Sequence, residues 1–155
     1  FDEHMTGPNQ IEAKKREDVH VTEEDLLAVP KGTRSLEGLR HNIRVGVQYL
    51  ESWLRGVGCV PIYNLMEDAA TAEICRTQVW QWLKHGAELD GEVLTVARFR
   101  TELDHEIDAL KEALGPERFN QGKYEEATTL FDRLCTADAF EEFLTLPAYD
   151  LLEKE

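Results

Sequence analysis

The chain has 155 residues, of which 42% are hydrophobic and 31% are charged, proportions that are typical of a folded domain and exclude a disordered chain. Its 17 basic and 31 acidic residues give a formal net charge of -14, which disfavours nucleic acid and anionic membranes as partners because like charges repel. The three cysteines, Cys59, Cys75 and Cys135, form no C-x-x-C pair, so we expect a reducing, cytoplasmic location. No run of the sequence approaches the roughly 18 apolar residues of a membrane span, so we expect no membrane-spanning segment.

The first 35 residues are predicted to be a mixed segment and a linker. The opening, FDEHMTGPNQ, is loop-like and does not begin with methionine, so we expect the chain to be part of a longer protein. Thr22 precedes an acidic turn, a pattern that is typical of a helix-capping box. The stretch PKGTRS, at positions 30–35, has the turn residues of a linker. We therefore predict that a helical domain covers residues 36–155.

The first long helix is predicted at residues 36–55. Its apolar residues recur at helical spacing, at Leu36, Leu39, Ile43, Val47, Leu50 and Leu54. A second apolar stripe, Val45, Tyr49 and Trp53, lies more than a quarter turn away. A helix that is apolar on two sides packs between two neighbours. The second stripe therefore predicts either an exposed docking face for a missing part of the protein or a central helix in the bundle.

Four further helices complete the predicted bundle. Three are expected at about residues 65–85, 96–114 and 124–135, and the last one starts near Asp138. An Asp-Gly pair at positions 90–91 signals a turn, and Gly-Pro at 115–116 is expected to end the third long helix. Five helices with little strand predict an all-α helical bundle.

The start of the helix at residue 65 contains two adjacent carboxylates, in the stretch NLMEDAATAEI. Asn64 and Glu67 have the spacing of a capping box, which explains Glu67 without any chemistry. Asp68 differs, because it occupies the first position of the stripe that continues through Ala72, Cys75, Val79 and Trp82.

Asp68 is therefore a candidate general base. At the head of an apolar stripe and at a helix N-terminus, its carboxylate is expected to be ionised and poorly hydrated, a state that suits proton abstraction. The alternative is a second acid that satisfies the helix dipole beside a partly wet crevice. Cys59 lies in the uncharged loop GVGCVPIYN, where an inert buried thiol and a reactive one are both possible readings of the pattern.

The residues around Asp68 also match the pattern of a known family. The stretch NIRVGVQYLESWLRGVGCVPIYNLMEDAATAEICRTQVWQWL, residues 42–83, closely resembles the C-terminal region of malate synthase of the shorter A-type. The opening FDEHMTGPNQ and the segment FEEFLTLPAYDLL, residues 140–152, are similar to segments of the same family. The resemblance covers most of the chain and is weakest at about residues 86–125.

The resemblance implies a fold, an activity and a set of site residues. Malate synthases condense acetyl-CoA with glyoxylate and hydrolyse the product thioester to give malate and CoA, with Mg²⁺ in a TIM-barrel site. Their C-terminal helical domain closes the barrel mouth and carries the catalytic aspartate. By position that aspartate is Asp68, while Cys59, Met66 and Pro8 match positions near the acetyl-CoA. A cytoplasmic, bacterial-type enzyme of the glyoxylate bypass is the simplest fit.

The implied partner is a TIM barrel that lies outside this chain, with residues 1–35 resembling the end of a barrel segment and its linker. A single carboxylate does not usefully remove a thioester α-proton unless a cation or a hydrogen-bond donor stabilises the enolate. In the family, an arginine and two acidic Mg²⁺ ligands of the barrel fill these roles. We therefore expect the isolated chain to be inactive.

Two other classes of function stay open at this point. A non-catalytic helical interaction module would explain the bundle and its acidity, but would leave the placement of Asp68 to chance. A metal-carboxylate bundle is suggested by Glu-x-x-His spacing at Glu102/His105 and Glu17/His20. His105 lies opposite the apolar stripe of its helix, so we expect it to face solvent.

Three arginines, Arg34, Arg40 and Arg44, cluster in the stretch RSLEGLRHNIR. They either meet the phosphates of a coenzyme or are ordinary solvated charges on a helix. The second interpretation is the more common one for charges on a helix surface.

Overall fold

The computed structural model describes residues 3–5, 7–10, 15–29 and 32–152, and it divides into two units, Phe1–Thr33 and Arg34–Glu155. The first unit contains helix α1 (Glu23–Leu27). The Thr22 side chain accepts a hydrogen bond from the Asp25 amide, and Asp25 accepts one from the Thr22 amide, so the predicted capping box is confirmed. Residues 153–155 of the predicted bundle lie outside the described residues.

The second unit is a helical bundle with two small hairpins, which confirms the predicted all-α class. Its helices are α2 (Leu36–Leu54), α3 (Ala69–Lys84), α4 (Val96–Leu114), α5 (Pro116–Gln121), α6 (Tyr124–Thr136) and α7 (Thr145–Leu152). Strands β1 (Val60–Ile62) and β2 (Leu65–Glu67) form one antiparallel hairpin, and β3 (Glu88–Leu89) and β4 (Glu92–Val93) form the other. Within the described ranges, none of the helices has the length and apolar composition to cross a membrane.

Helix α2 is the central helix of the bundle and packs against α3, α4 and α6. Val45 and Tyr49 of the second stripe are each only 1% exposed, and Trp53 is half-buried against the ring of Tyr149. The prediction that this stripe is an exposed docking face is therefore wrong, and the central-helix alternative is right. An apolar residue on each side of a helix is what contact with several neighbours requires.

Helices α2 and α4 are joined by ion pairs. Arg40 Nε lies 2.7 Å from Glu102, and Arg44 Nη1 lies 3.0 Å from the buried carboxylate of Glu106. Arg34 is exposed and its carbonyl accepts a hydrogen bond from a residue of the second hairpin. Because Arg40 and Arg44 pair with carboxylates of α4, two of the three arginines proposed to meet coenzyme phosphates are already engaged within the domain.

Residues 137–144 form an irregular segment, here called the strap, so the helix predicted from Asp138 is wrong. Helix α7 starts only at Thr145. Side chains on one face of α3 bind the backbone of the strap and so replace the bonds of a helix: Trp80 with Ala137, Lys84 with Asp138, Arg76 with Glu142, and Glu73 with Leu144.

Arg76 is the most deeply buried of these side chains. It is 1% exposed, its Nε donates to Glu73 at 2.6 Å, and its guanidinium lies 4.1 Å above the ring of Phe140. Its Nη1 has no hydrogen-bond partner among the described residues. A buried charge is tolerated when it is paired, and Arg76 is paired with Glu73. Because both side chains also bond to the backbone of the strap, the pair holds α3 and the strap together.

Candidate functional site

The region around Asp68 is a hairpin followed by a helix, not the single helix that the sequence predicts. The β1–β2 pairs are Val60 with Glu67, Pro61 with Met66, and Ile62 with Leu65. The two turn residues, Tyr63 and Asn64, have φ values of 49° and 64°. Positive φ at both central positions is the condition for the tight two-residue turn that matches the twist of a hairpin. The predicted helix start at residue 65 is therefore wrong, and α3 begins at Ala69.

The predicted capping box of Asn64 and Glu67 is wrong for the same reason. Asn64 lies in the turn of the hairpin, and Glu67 is the last residue of β2. The residue that caps α3 is Asp68, with an extended backbone at φ -122°. Its Oδ1 accepts hydrogen bonds from the amides of Ala70, at 2.9 Å, and Thr71, at 3.3 Å.

This cap gives the two oxygens of Asp68 different roles. Oδ1 is held by two amides of the first helical turn, which also place the carboxylate at the positive end of the helix dipole. Oδ2 makes no hydrogen bond to the part of the chain that the structure describes. The carboxylate is thus fixed in orientation and keeps one oxygen available to accept a proton.

The expectation that the bundle desolvates Asp68 is wrong. Ala72, Cys75 and Val79 of the α3 stripe are buried, whereas Asp68 is exposed. An N-cap residue lies half outside the helix and does not follow the helical rotation of the stripe. Any exclusion of water from this carboxylate has to come from a surface outside this domain.

Three of the predicted site residues lie on one face of the hairpin. The register that pairs Val60 with Glu67 places Cys59 opposite Asp68, just beyond the end of the ladder. Because side chains alternate between faces along a strand, Cys59, Met66 and Asp68 point to the same side. All three are exposed, and Met66 is 67% exposed.

The other face of the hairpin packs on the bundle. Ile62 is buried, and Val60 and Glu67 are half-buried, while Leu65, next to the turn, is exposed. The hairpin therefore presents Cys59, Met66 and Asp68 outward from the domain. An inert buried thiol, which is the more common state of a free cysteine, is not what the structure has at Cys59.

Pro8 belongs to the first unit and is described there by itself. It is exposed and lies in a bend between Gly7 and Asn9, which has a φ of 57°. Its assignment to the acetyl-CoA end stays a prediction.

Tyr49 is a residue at this site that the sequence does not single out, because it reads as part of an apolar stripe. Its hydroxyl donates a hydrogen bond to the carbonyl of Gly58 at 3.0 Å. Burial raises the pKa of Tyr49, and negative charge on Asp68 and Cys59 raises it further. The buried phenol thus lies beneath the loop that leads to Cys59.

The other two thiols are buried and unreactive. Cys75 and Cys135 are buried, and burial raises the pKa of Cys75 to about 12 and that of Cys135 well above its usual range. Since the thiolate is the nucleophile and metal ligand, these residues act as small apolar side chains.

The described residues bring together no group of three or more His, Cys, Asp or Glu side chains that would hold a metal ion. His105 is exposed, as predicted, and its nearest acidic partner is Glu106 at 3.5 Å. Glu17 and His20 are also exposed. The metal-carboxylate bundle therefore has no support in this part of the chain.

Comparison with known proteins matches residues 33–152 to a family described as "Malate synthase, C-terminal". The chain is 58% identical over 156 residues to malate synthase of Myxococcus xanthus (strain DK1622), covering 100% of this chain and 29% of that protein. It is 53% identical over 149 residues to the glyoxysomal malate synthase of Cucurbita maxima, covering 93% and 26%. It is 51% identical over 156 residues to malate synthase of Arabidopsis thaliana, covering 97% and 28%. The chain thus spans less than a third of the length of these relatives.

Proposed function

The chain belongs to the malate synthase family, as its C-terminal domain, and on this premise we propose that it supplies the general base of a longer malate synthase. The overall reaction joins acetyl-CoA, glyoxylate and water to give malate and CoA, in the glyoxylate bypass. The observation that carries the proposal is the geometry of Asp68, whose Oδ1 caps α3 while its Oδ2 is left without a partner among the described residues.

The proposed step is proton transfer from the acetyl methyl group to Asp68 Oδ2. The C–H bond breaks, its electron pair forms a carbon–carbon double bond, and the carbonyl π pair moves onto the thioester oxygen to give the enolate. The enolate carbon then bonds to the aldehyde carbon of glyoxylate, whose carbonyl π pair moves onto oxygen to give an alkoxide. That oxygen is protonated to the hydroxyl of malate, and Asp68 releases its proton to return to the carboxylate. Water then hydrolyses the thioester and releases CoA. The cap holds the carboxylate of Asp68 in one orientation, which is what a general base requires. Cys59 and Met66, on the same face of the hairpin, line the acetyl end in this proposal.

The remaining catalytic groups are proposed to come from outside the chain. An enolate needs a cation or hydrogen-bond donors beside its oxygen. Arg40 and Arg44 are engaged with carboxylates of α4, and Arg76 is buried against Glu73, so these cations serve the domain itself. The proposal therefore assigns an arginine and the acidic Mg²⁺ ligands to a TIM barrel elsewhere in the enzyme, and the 155-residue chain alone is expected to be inactive.

Replacing Asp68 by Asn in the full-length enzyme tests the proposed base. Asparagine caps a helix as well as aspartate does, so α3 should stay intact while the base is lost. We expect kcat to fall by about 10²–10⁴-fold. Asp90→Asn, in the turn of the second hairpin, is the matched control and should leave kcat within about twofold. An Asp68→Asn enzyme with unchanged turnover would favour the non-catalytic interaction module.

The partner surface is proposed to surround Asp68. Val57, Leu65, Met66 and Ile74 are large apolar side chains that are between 45% and 67% exposed. Large exposed apolar side chains mark interaction surfaces where they are contiguous. Because the chain spans only 26–29% of the length of its relatives, we assign the covering surface to the rest of the same enzyme.

Alkylation of Cys59 tests this covering surface. In the 155-residue chain iodoacetamide should modify Cys59 readily, whereas Cys75 and Cys135 should stay unmodified at pH 8 because burial keeps their protons bound. In the full-length enzyme the reaction of Cys59 should be at least about tenfold slower, as measured by mass spectrometry of digested protein. Equal rates in the two proteins would contradict the proposed surface.

A cytoplasmic location remains part of the proposal. Three free thiols, one of them exposed, suit a reducing compartment. Among the relatives, that of Cucurbita maxima is a glyoxysomal enzyme by its name. Fractionation of the native host with an antibody to the enzyme would decide between these compartments.

A further inference from the structure

Tyr49 is buried at the point where α2 faces the hairpin that carries the site. It is 1% exposed and lies on the second apolar stripe of α2. Its hydroxyl donates to the Gly58 carbonyl at 3.0 Å. A buried phenol usually finds a hydrogen-bond partner, but it need not find one in the loop that precedes a functional residue.

Hydrogen bonds to the end of α2 hold the first three residues of the loop that Tyr49 binds, and they do not reach its last two. Residues 55–59 lie between α2 and β1 without regular structure, and the Val57 amide bonds back to the Ser52 carbonyl at the end of the helix. After Val57, the loop has one hydrogen bond to the bundle among the described residues, which is the bond from the Tyr49 hydroxyl to the Gly58 carbonyl. Cys59 follows immediately.

The same hydroxyl lies near the end of the hairpin that carries both exposed groups. The register of β1 and β2 places Cys59 opposite Asp68. The Tyr49 hydroxyl bonds to Gly58, the residue before Cys59, and so lies beside the end of the hairpin where Cys59 and Asp68 face each other. The phenol therefore lies under the base of the hairpin, where a shift of the loop would change the spacing between Cys59 and Asp68.

We propose that Tyr49 is a positioning residue for the reaction, an inference that rests on the proposed function of Asp68. By holding the Gly58 carbonyl, the hydroxyl fixes the loop that enters β1 and thereby the place of Cys59 relative to the carboxylate across the hairpin. Proton abstraction is sensitive to such placement, because a displacement of about 1 Å can cost about 10²-fold in rate. Tyr49 touches no substrate in this proposal and acts through the hairpin.

Tyr49→Phe in the full-length enzyme removes only the hydroxyl. Kinetics with acetyl-CoA and glyoxylate should show kcat lowered about tenfold while both KM values stay within about twofold, since alignment and not binding is lost. With acetyl-CoA deuterated at the methyl group, the isotope effect on kcat should rise, because proton abstraction becomes more rate-limiting. Replacing a residue with a purely structural role would change neither the ratio of kcat to KM per folded enzyme nor the isotope effect on kcat.

Tyr124→Phe is the matched control. Tyr124 is also buried, and burial is likewise the first cause of its raised pKa, but it lies at the start of α6, where it stacks on Phe119 of α5. The kcat of the Tyr124→Phe variant, per folded enzyme, should stay within about twofold of that of the unsubstituted enzyme. A Tyr49→Phe enzyme with an unchanged kcat, or one that fails to fold, would overturn the positioning role, as would equal losses in the two variants.

Asp68→Asn separates the failure of this inference from failure of the proposed function. If Asp68→Asn is inactive while Tyr49→Phe is unchanged, the base stands and the role of Tyr49 is overturned. If Asp68→Asn retains full turnover, the proposed function and the role of Tyr49 fall together.

Discussion

The two hairpins of the second unit share a backbone plan and differ in their turn residues. Each is antiparallel and turns on two residues with positive φ. The β3–β4 turn is Asp90-Gly91, a pair that strongly favours this geometry, and Asp90 Oδ2 accepts a hydrogen bond from the Leu36 amide at 2.8 Å. The β1–β2 turn is Tyr63-Asn64, which puts a bulky residue into a conformation that such residues seldom adopt.

The difference separates a hairpin with a structural role from the hairpin that carries the proposed base. The carboxylate of Asp90 accepts a hydrogen bond from the first turn of α2 and is therefore engaged within the fold. Asp68 supports its own helix through one oxygen and exposes the other. Costly backbone conformations persist where the surroundings over-determine them, and they concentrate at functional sites. The hairpin with the less favourable turn is also the one that presents Cys59, Met66 and Asp68.

The largest effect on stability is expected at the structural hairpin. Asp90→Ala removes the bond to the Leu36 amide and places alanine at φ 53°, so the free energy of unfolding should fall by about 1–2 kcal/mol. Asp68→Asn keeps its cap and should change it by less than about 0.5 kcal/mol. Urea unfolding of the 155-residue chain, followed by circular dichroism, measures both. Equal losses would remove the distinction between the hairpins.

A smaller effect is expected from exchanging the second turn residues. Asn64→Gly relaxes a residue at φ 64° and should stabilise the chain by about 0.5 kcal/mol. Gly91→Asn, at φ 86°, should destabilise it by a similar amount, and no atom lies close enough to its Cβ to add a clash. Thermal unfolding of both variants checks the sign. Changes of the same sign would mean that the two turns are not equivalent in backbone geometry.

The long helices were predictable because their apolar stripes need no knowledge of their neighbours. Helices predicted at residues 36–55 and 96–114 are observed at Leu36–Leu54 and Val96–Leu114. The stripe spacing and the end signals are both local properties of the sequence. The β3–β4 hairpin was signalled in the same way, by Asp90-Gly91.

The errors occurred where distant residues decide the backbone. The strap resembles a helix in its apolar spacing, yet side chains of α3 take up its backbone groups and keep it irregular. The turn at Tyr63-Asn64 carries no preferred turn pair, so the sequence predicts the first turn of a helix where the structure has β2. Val45 and Tyr49 are buried because several helices surround α2, and the number of neighbouring helices cannot be predicted from apolar periodicity.

By itself, the sequence determined the family and the helical class and singled out Asp68 as a candidate base, because these depend on local patterns and on a distinctive motif. Only the tertiary structure decided that Asp68 is an exposed N-cap, that Cys59 lies across the hairpin from it, and that Tyr49 bonds to the loop before Cys59. The physical reason is that a motif specifies which groups are present, whereas hydration and mutual placement depend on strand register and on packing between residues far apart in the chain.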